Sequence, residues 1–225
     1  MRNLKQNETL DHSMHHSYES NSLKDFLKRI PFLFNFAKLV YIFLLHLNSR
    51  RRWTKLLQSK EVKLNLGSGP TRGKNGWVNV DLFGADINHD LTKGVPLKDN
   101  TVDAVYSSHV FEHIPYKDLI HVISEIRRIL KPGGMFAASV PKYLPEWICW
   151  KLSKSYQEMP GGHVRIFRYK HFKKSIEKRG FSFLKRHWNH ALHSPYWWLQ
   201  CLFWETKESS WIIKKYHDFL VWDMM

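Results

Sequence analysis

Short apolar runs, separated by turns that contain glycine or proline, fill the chain between about residue 60 and residue 187. Each run has the length and the β-branched or aromatic content of a buried strand. Strands are therefore predicted at 62–66, 76–81, 86–90, 102–108, 135–140 and 181–187. Apolar positions that recur at the helical period predict helices at 117–130 and 169–179. Strands that alternate with helices indicate an α/β fold with a mostly parallel sheet.

The segment from residue 23 to residue 48 follows a different pattern, because apolar side chains cover most of its circumference. At about 100° per residue, seven of its positions share a sector of roughly 80°, and everything else between Phe32 and Leu47 is apolar. These positions are Lys24, Lys28, Pro31, Asn35, Lys38, Ile42 and His46. A narrow polar stripe on a wide apolar face is typical of an amphipathic helix in a membrane interface. Arg50, Arg51 and Arg52 follow, and would attract anionic lipid headgroups.

Two alternatives remain open for this segment. It fits a helix packed on the rest of the protein or on a second copy, and it also fits a membrane-spanning helix. Spanning needs about 20 apolar residues with few charges, and Asn35 and Lys38 argue against it. A cleaved signal peptide fits poorly, since the run starts late and lacks a small-residue cleavage site.

The two ends of the chain differ in composition from the α/β part. Residues 1–20 are polar and predict a disordered tail, and residues 21–59 form the amphipathic and basic helical segment. The α/β domain is assigned to residues 60–187. Residues 188–225 form an aromatic-rich C-terminal extension, which contains most of the tryptophans.

Charge and cysteine content narrow the class of protein. The net charge of +15 favours a polyanionic partner, either nucleic acid or an anionic membrane surface. Two cysteines, Cys149 and Cys201, are too few for a disulfide framework and indicate a reducing compartment.

A glycine turn follows the first predicted strand. Gly67-Ser68-Gly69 comes directly after the apolar run at 62–66, and the second strand ends in an acid, Asp81. This order of strand, glycine turn, strand and carboxylate is how an open α/β sheet holds an adenosine-containing cofactor. The link from Gly69 to Asp81 is too short for a full helix, so affinity should depend on the loop amides and on Asp81.

Four further motifs follow at suitable places: His89-Asp90-Leu91, Ser107-Ser108-His109, Phe111-Glu112-His113 and Leu130-Lys131-Pro132-Gly133-Gly134. Together with the glycine turn they resemble the class I S-adenosylmethionine (SAM)-dependent methyltransferases, and specifically their small type 11 branch. The resemblance covers residues 61–142 well and 161–187 more loosely. It implies a Rossmann-like, mostly parallel sheet with helices on both faces and SAM as the methyl donor.

The resemblance also implies a set of cofactor-binding residues. The glycine turn would flank the methionine portion of SAM, Asp81 would accept the ribose hydroxyls, and Asp90 with Leu91 would meet the adenine edge. The end of the fourth strand would face the reacting methyl group. The full predicted set is Gly67, Ser68, Gly69, Asp81, Leu82, Asp90, Leu91 and Ser108.

Methyl transfer from a sulfonium is an in-line displacement, and a hydroxyl acceptor must also lose its proton. A histidine suits that task because it titrates near neutral pH. His109 is the first candidate for the base, followed by His113 and Glu112. The stretch from Gly161 to Arg165 resembles the family's segment before the next helix, which implies that His163 and Arg165 reach the acceptor. Trp147 lies in a predicted lid at 143–159.

No metal site is predicted. The tail histidines His12, His15 and His16 lack a fixed geometry, and His187, His190 and His193 have no acidic or cysteine ligand nearby.

The sequence therefore predicts a SAM-dependent methyltransferase that O-methylates a lipid-linked glycan, a sugar or a lipid-like acceptor. Its expected location is cytoplasmic, peripheral on the inner face of the cell membrane. A quinone or polyprenyl ring remains open as acceptor. An RNA methyltransferase would explain the charge, but the fourth strand ends Ser-Ser-His-Val and lacks the motif used on nucleobase amino groups. A non-catalytic scaffold is disfavoured by the intact glycine turn, and the oligomeric state is left open.

Overall fold

A computed structural model describes residues 31–188 and 192–223. The predicted disordered tail, the three tail histidines and the first turns of the amphipathic segment lie outside these residues, as does His190.

Five parallel strands form the sheet in this part of the chain, in the order β3-β2-β1-β4-β5. They are β1 (Lys63–Leu66), β2 (Trp77–Asp81), β3 (Ile87–Asn88), β4 (Val102–Ser108) and β5 (Leu130–Ser139). The chain moves outward from β1 to β3 and then returns to place β4 on the other side of β1. The carboxyl ends of β1 and β4 therefore border the crevice in which open α/β sheets bind ligands. The predicted α/β class with a parallel sheet is confirmed.

Helices precede, connect and follow the strands. They are α1 (Pro31–Leu56), α2 (Tyr116–Ile129), α3 (Tyr143–Leu152), α4 (Lys154–Gln157), α5 (Tyr169–Glu177), α6 (His193–Leu202) and α7 (Trp211–Asp223). Short 3₁₀ turns occur at Leu91–Lys93 and Trp204–Thr206. The apolar stripe predicted on α2 is buried, as Leu119, Val122 and Ile126 show. These side chains pack with Leu64, Leu66, Val80, Ile87, Val102 and Val105 of the strands to form the core.

The predicted strand at 181–187 is wrong, because residues 181–188 have no regular secondary structure. Only Phe181 packs inward, 5.2 Å from the ring of Phe136. Leu184 remains 79% exposed. The ring of Phe183 instead lies under the ammonium of Lys173, with the Nζ atom 4.3 Å from its centroid. The apolar content of this run is thus used for surface cation–π contacts rather than for a strand of the sheet.

Two predicted strand boundaries also move. Strand β3 ends after Asn88, because the Asp90 carboxylate accepts a hydrogen bond from Thr92 N and starts the 3₁₀ turn. Strand β5 begins at Leu130, five residues before its predicted start, so Lys131-Pro132-Gly133-Gly134 lies within the strand. The β4–β5 register shifts between Val102 and Ala104, and Gly133 has φ +77°. The Pro-Gly-Gly sequence is therefore accommodated as an irregularity in the ladder.

Helix α1 continues past the apolar stretch 23–48 through the arginines to Leu56, which lies within the helical segment predicted at 21–59. The described residues up to Asn48 form one unit, and the chain from Ser49 onward forms another. In the second unit Trp53 and Leu56 are buried, and the Arg52 guanidinium donates to the backbone oxygen of Asp86 at 2.5 Å. Arg52 therefore holds the end of α1 beside β3, and attraction of the arginines to anionic lipid stays a prediction.

The apolar side chains in the first part of α1 are largely exposed. They include Phe32, Phe36, Leu39, Tyr41, Phe43 and Leu44. Within the part of the chain that the structure describes, none of the helices combines the length and the apolar character needed to cross a bilayer.

Candidate active site

The glycine turn after β1 takes the conformation that its sequence requires. Gly67 has φ +71°, and its amide donates to Val80 O at 2.8 Å. A Cβ atom at this position would lie 2.1 Å from Cγ2 of Val110. Glycine is therefore needed here both for the left-handed backbone and for the close approach of the Val110 side chain.

Asp81 lies at the carboxyl end of β2 and faces this turn. Its Oδ2 atom accepts a hydrogen bond from Gly69 N at 2.8 Å, and Oδ1 accepts one from Leu82 N at 2.6 Å. Each carboxylate oxygen keeps a further lone pair, so the group can still accept two ribose hydroxyls. The connection from residue 70 to residue 76 contains no helix, as predicted, so no helix N-terminus supports a ligand here.

Asp90 has a structural task in addition to its predicted one. Its Oδ1 atom accepts hydrogen bonds from the amide and the hydroxyl of Thr92, at 2.9 and 2.7 Å. Burial opposes ionisation of Asp90, but the bonds from Thr92 and the charge of Lys93 outweigh it and lower its pKa. Leu91 is half-buried beside it, whereas Leu82 is exposed next to Asp81. Contact of these residues with a cofactor stays a prediction.

The end of β4 carries two serines and a strained histidine. The side chain of Ser107 is buried, and Ser108 shares a 2.6 Å hydrogen bond with Ser139 of β5. His109 follows with φ +55°, a conformation that few residues other than glycine adopt. Its side chain is 56% exposed, so the turn presents the imidazole to solvent at the carboxyl end of the sheet.

Glu112 lies behind His109 and is almost completely buried. Its Oε1 atom is 3.1 Å from His109 Nδ1 and 3.9 Å from His163 Nε2. Among the described residues its Oε2 atom has no hydrogen-bond partner. The backbone completes the arrangement, since Val164 N donates to Glu112 O at 2.9 Å and so fixes the histidine-containing loop beside the acid.

His113 and His163 complete the cluster. His113 is exposed, and its Nδ1 atom lies 3.0 and 3.1 Å from the carbonyl oxygens of Gly161 and Gly162. The two imidazole centroids are 4.8 Å apart. The structure thus brings together the three predicted catalytic candidates and one predicted acceptor residue, although the sequence places them in two separate segments.

Two polar residues of the site were not predicted. Glu146 is buried in α3, where its Oε1 atom accepts hydrogen bonds from His163 Nδ1 at 2.6 Å and from the Tyr156 hydroxyl at 3.1 Å. Burial raises the pKa of Tyr156, and the Glu146 carboxylate raises it further. Burial opposes protonation of His163, but the hydrogen bond and charge of Glu146 outweigh it and raise its pKa.

The other two residues predicted to bind the acceptor, Arg165 and Trp147, contact groups outside the cluster of Glu112, His113 and His163. Arg165 donates through Nη2 to Ile114 O, and its guanidinium lies 5.5 Å from the Tyr116 ring centroid. Burial lowers the pKa of Arg165. Trp147 is 41% exposed, and its ring contacts the Lys151 ammonium. Contact of either residue with an acceptor stays a prediction.

The arrangement as a whole is suited to taking a proton from a bound group. An accessible imidazole is hydrogen-bonded to a buried carboxylate, which orients the ring. The glycine turn and Asp81 lie at the neighbouring strand ends. A ligand held by them therefore borders the same edge of the sheet as the imidazole.

Comparison with known proteins identifies similarity to methyltransferases. Residues 66–138 match a family model described as a methyltransferase domain. The chain is 32% identical over 108 residues to a sterol 24-C-methyltransferase of Gibberella zeae, which is 44% of this chain and 26% of that protein. It is 41% identical over 56 residues to a Mycolicibacterium smegmatis protein named "Probable S-adenosylmethionine-dependent methyltransferase", 25% of this chain and 21% of that protein.

The chain thus spans about a quarter or less of the length of these curated relatives. A crystal structure of a SAM-dependent methyltransferase from Archaeoglobus fulgidus is 18% identical, covers 60% of this chain and 68% of that one, and superposes with a TM-score of 0.45.

Proposed function

Residues 66–138 belong to the class I SAM-dependent methyltransferases, and from that premise we propose that the protein O-methylates a lipid-like or lipid-linked sugar acceptor at a membrane surface. The donor is SAM. The turn at Gly67 and Gly69 would hold its methionine portion, and the Asp81 carboxylate would hold its ribose hydroxyls. SAM supplies an electrophilic methyl group, and the chain's own residues align the acceptor and remove its proton.

The single observation that carries the choice of oxygen as acceptor atom is the buried Glu112 behind the exposed His109. The acceptor oxygen would form a bond to the methyl carbon while the carbon–sulfur bond breaks, and sulfur would keep the electron pair. The hydroxyl proton would pass to His109, whose ring the Glu112 carboxylate orients. The products are a methyl ether and neutral S-adenosylhomocysteine.

The lipid-like acceptor is supported by the surface of α1 and by one relative. Phe36, Leu39 and Phe43 are exposed on a helix that continues into a run of three arginines. Exposed apolar side chains next to basic ones favour an anionic membrane surface as the partner. The relative from Gibberella zeae is named for methylation of a sterol, which is itself a lipid. The inner face of the cell membrane, where cytoplasmic SAM is available, is the location we propose.

Transfer of a tritiated methyl group from SAM in cell lysate tests this function. The protein is added as wild type, as Asp81→Ala and as the exposed surface control Asp218→Ala, and the lipid, RNA and protein fractions are counted. Label in the lipid or glycolipid fraction that requires Asp81 but not Asp218 is the expected result. Label in RNA would assign the +15 net charge to phosphate binding instead and would overturn the lipid acceptor.

A further inference from the structure

Glu112, His113 and His163 each present a side-chain ligand atom, and these atoms lie within 4.8 Å of one another. We propose that the three side chains bind a divalent transition-metal cation, Zn²⁺, through the carboxylate of Glu112 and the Nε2 atoms of the two histidines. The sequence alone does not indicate this set as metal ligands, because His163 comes 50 residues after His113. The position of the cation does not depend on the proposed function, whereas its role in catalysis rests on it.

Hydrogen bonds on the far side of each imidazole support this assignment. His113 Nδ1–H donates to the carbonyl oxygens of Gly161 and Gly162, and His163 Nδ1–H donates to the Glu146 carboxylate at 2.6 Å. In each ring the Nε2 atom then keeps the lone pair that can bind a cation. Histidines that bind metal ions almost always donate the other ring N–H to a carboxylate or to a backbone carbonyl. Here both kinds of partner are present, one for each ring.

Glu112 supplies the second, independent observation. Its side chain is 1% exposed, and in the described part of the chain Oε2 has no hydrogen-bond partner. A buried carboxylate that lacks partners is costly unless a charge neutralises it. A cation between Glu112 and the two histidines would satisfy this oxygen without displacing the contact of Oε1 with His109.

The composition of the set selects the kind of cation. Two imidazole nitrogens and one carboxylate oxygen suit Zn²⁺ and its first-row neighbours, whereas Mg²⁺ and Ca²⁺ prefer oxygen ligands throughout. Zn²⁺ bonds of about 2 Å place tetrahedral ligand atoms about 3.3 Å apart. The three ligand atoms lie within 4.8 Å of one another, so side-chain movements on the order of 1–2 Å would close the set.

The fourth position of such an ion has a direct use in the proposed reaction. A hydroxyl oxygen bound to Zn²⁺ loses its proton far more readily than a free hydroxyl, because the cation stabilises the alkoxide. His109 would receive that proton. The alkoxide oxygen then bonds to the methyl carbon of SAM, and the sulfur leaves with the electron pair of the broken carbon–sulfur bond. No oxidant or reductant is consumed, so a redox-inactive ion is sufficient.

Metal titration of the purified full-length chain tests the site directly. The protein is stripped with a chelator, dialysed and titrated with Zn²⁺ by calorimetry, and with Co²⁺ by its visible d–d absorption. Wild type should bind one ion per chain at this site. His113→Ala removes an exposed ligand and should weaken that binding by about 10-fold or more, with loss of the tetrahedral Co²⁺ bands. The matched control His171→Ala changes an exposed histidine on α5 and should bind as wild type does.

Two further variants separate this site from others. A variant with His12, His15 and His16 all replaced by Ala should keep the Co²⁺ bands. Glu112→Gln should lose them while it remains folded by circular dichroism. The inference is overturned if His113→Ala and Glu112→Gln both bind Zn²⁺ as tightly as wild type. It is also overturned if the tail variant alone abolishes binding.

Activity after metal removal distinguishes this inference from the proposed function. Methyl transfer that is lost on chelation and restored by Zn²⁺ supports both. Full transfer by a chain that binds no Zn²⁺ leaves the methyltransferase intact and overturns the metal site. Zn²⁺ binding without transfer to any lipid overturns the acceptor class and leaves the site standing.

Discussion

At the scale of single residues, His109 combines two properties that rarely occur together. Its backbone has φ +55°, and its imidazole contacts a buried carboxylate at 3.1 Å. Left-handed conformations of residues other than glycine are costly and persist mainly where function requires a particular side chain. Here the conformation presents the imidazole at the end of β4 while Glu112 stays buried. A substitution of His109 is therefore informative only if the new residue can keep the same backbone conformation.

Asparagine is the replacement that meets this requirement, because it tolerates the left-handed region. His109→Asn should lower kcat for O-methylation by about 10²- to 10⁴-fold, the usual loss when a general base is removed. The affinity for SAM, measured by calorimetry, should stay within about twofold, because the glycine turn and Asp81 are unchanged. His171→Asn on the surface of α5 is the matched control. A parallel loss of SAM affinity would show that His109 holds the donor rather than the acceptor proton.

The sequence indicated a site residue only where that residue lies next to one of the recognised motifs along the chain. Glu112 and His113 follow the fourth strand directly, and Gly67 to Asp81 form one local unit, so their common edge could be predicted from strand order. Glu146 could not, because its role depends on a contact with His163, which comes 17 residues later in the chain. Pairing between distant segments leaves no local signal in one sequence.

At the scale of elements, the contact of α2 with the loop before β4 depends on one charged group. Glu125 of α2 accepts hydrogen bonds from Arg128 at 2.9 and 2.8 Å and from Val95 N at 3.0 Å. Arg128 in turn donates to the carbonyl oxygens of Val95 and Leu97. These bonds fix the loop that leads into the central strand β4.

The same group predicts a pH dependence of stability. The hydrogen bond from Arg128 lowers the pKa of Glu125, and together with the bond from Val95 N it brings that pKa to about 2. Burial acts in the opposite direction but is outweighed. A carboxylate with a lowered pKa stabilises the fold above its unfolded pKa, and this stabilisation is lost as the pH falls toward 2. Glu125→Gln should therefore reduce the free energy of unfolding by about 1–3 kcal/mol at pH 7. The difference from wild type should shrink between about pH 4.5 and pH 2.

Urea unfolding of both chains at several pH values measures this difference. Glu158→Gln, which changes an exposed carboxylate paired with Lys154 at 3.5 Å, is the matched control and should have little effect at any pH. An equal loss of stability for Glu125→Gln at pH 7 and near pH 2 would mean that packing, and not the ionised carboxylate, holds the loop.

Helix α1 supports a prediction about membrane binding. Leu39 and Phe43 are 65% and 61% exposed, so glutamate at these positions should leave the fold intact. The double variant Leu39→Glu and Phe43→Glu should lose flotation with liposomes that contain anionic lipid, because it replaces apolar contacts with repulsion. Leu184→Glu changes a 79% exposed leucine far along the chain and serves as control. Equal flotation of the three proteins would assign α1 to protein contacts.

Truncation of the whole helix would be a poorer test. Trp53 and Leu56 are buried, and Arg52 contacts Asp86, so the end of α1 belongs to the α/β unit. The apolar periodicity predicted a helix, but it did not predict at which residue the helix changes from exposed to buried. The strand predicted at 181–187 was wrong for a similar reason. Apolar content alone does not distinguish a strand from a loop whose aromatic rings contact lysine or arginine side chains.

At the scale of the whole molecule, the net charge of +15 decides how the protein should respond to salt. Basic residues near an anionic membrane contribute about 1 kcal/mol each and act within a Debye length, about 10 Å at 0.1 M salt. Apolar side chains that enter the interface are not screened. A protein that uses both should bind anionic vesicles strongly at low salt and keep a salt-resistant remainder at 0.5 M, whereas phosphate binding to RNA falls steeply and leaves none.

Sedimentation with phosphatidylserine-containing vesicles, with phosphatidylcholine vesicles and with single-stranded RNA, each at several salt concentrations, therefore compares the two kinds of partner in one protein. The expected result is a salt-resistant fraction on anionic vesicles that the Leu39→Glu and Phe43→Glu variant lacks. RNA binding that exceeds vesicle binding at every salt concentration, and that the double variant retains, would make the basic surface a nucleic-acid site. In that case the exposed phenylalanines of α1 would be assigned to contact with protein, either the rest of the chain or a second copy.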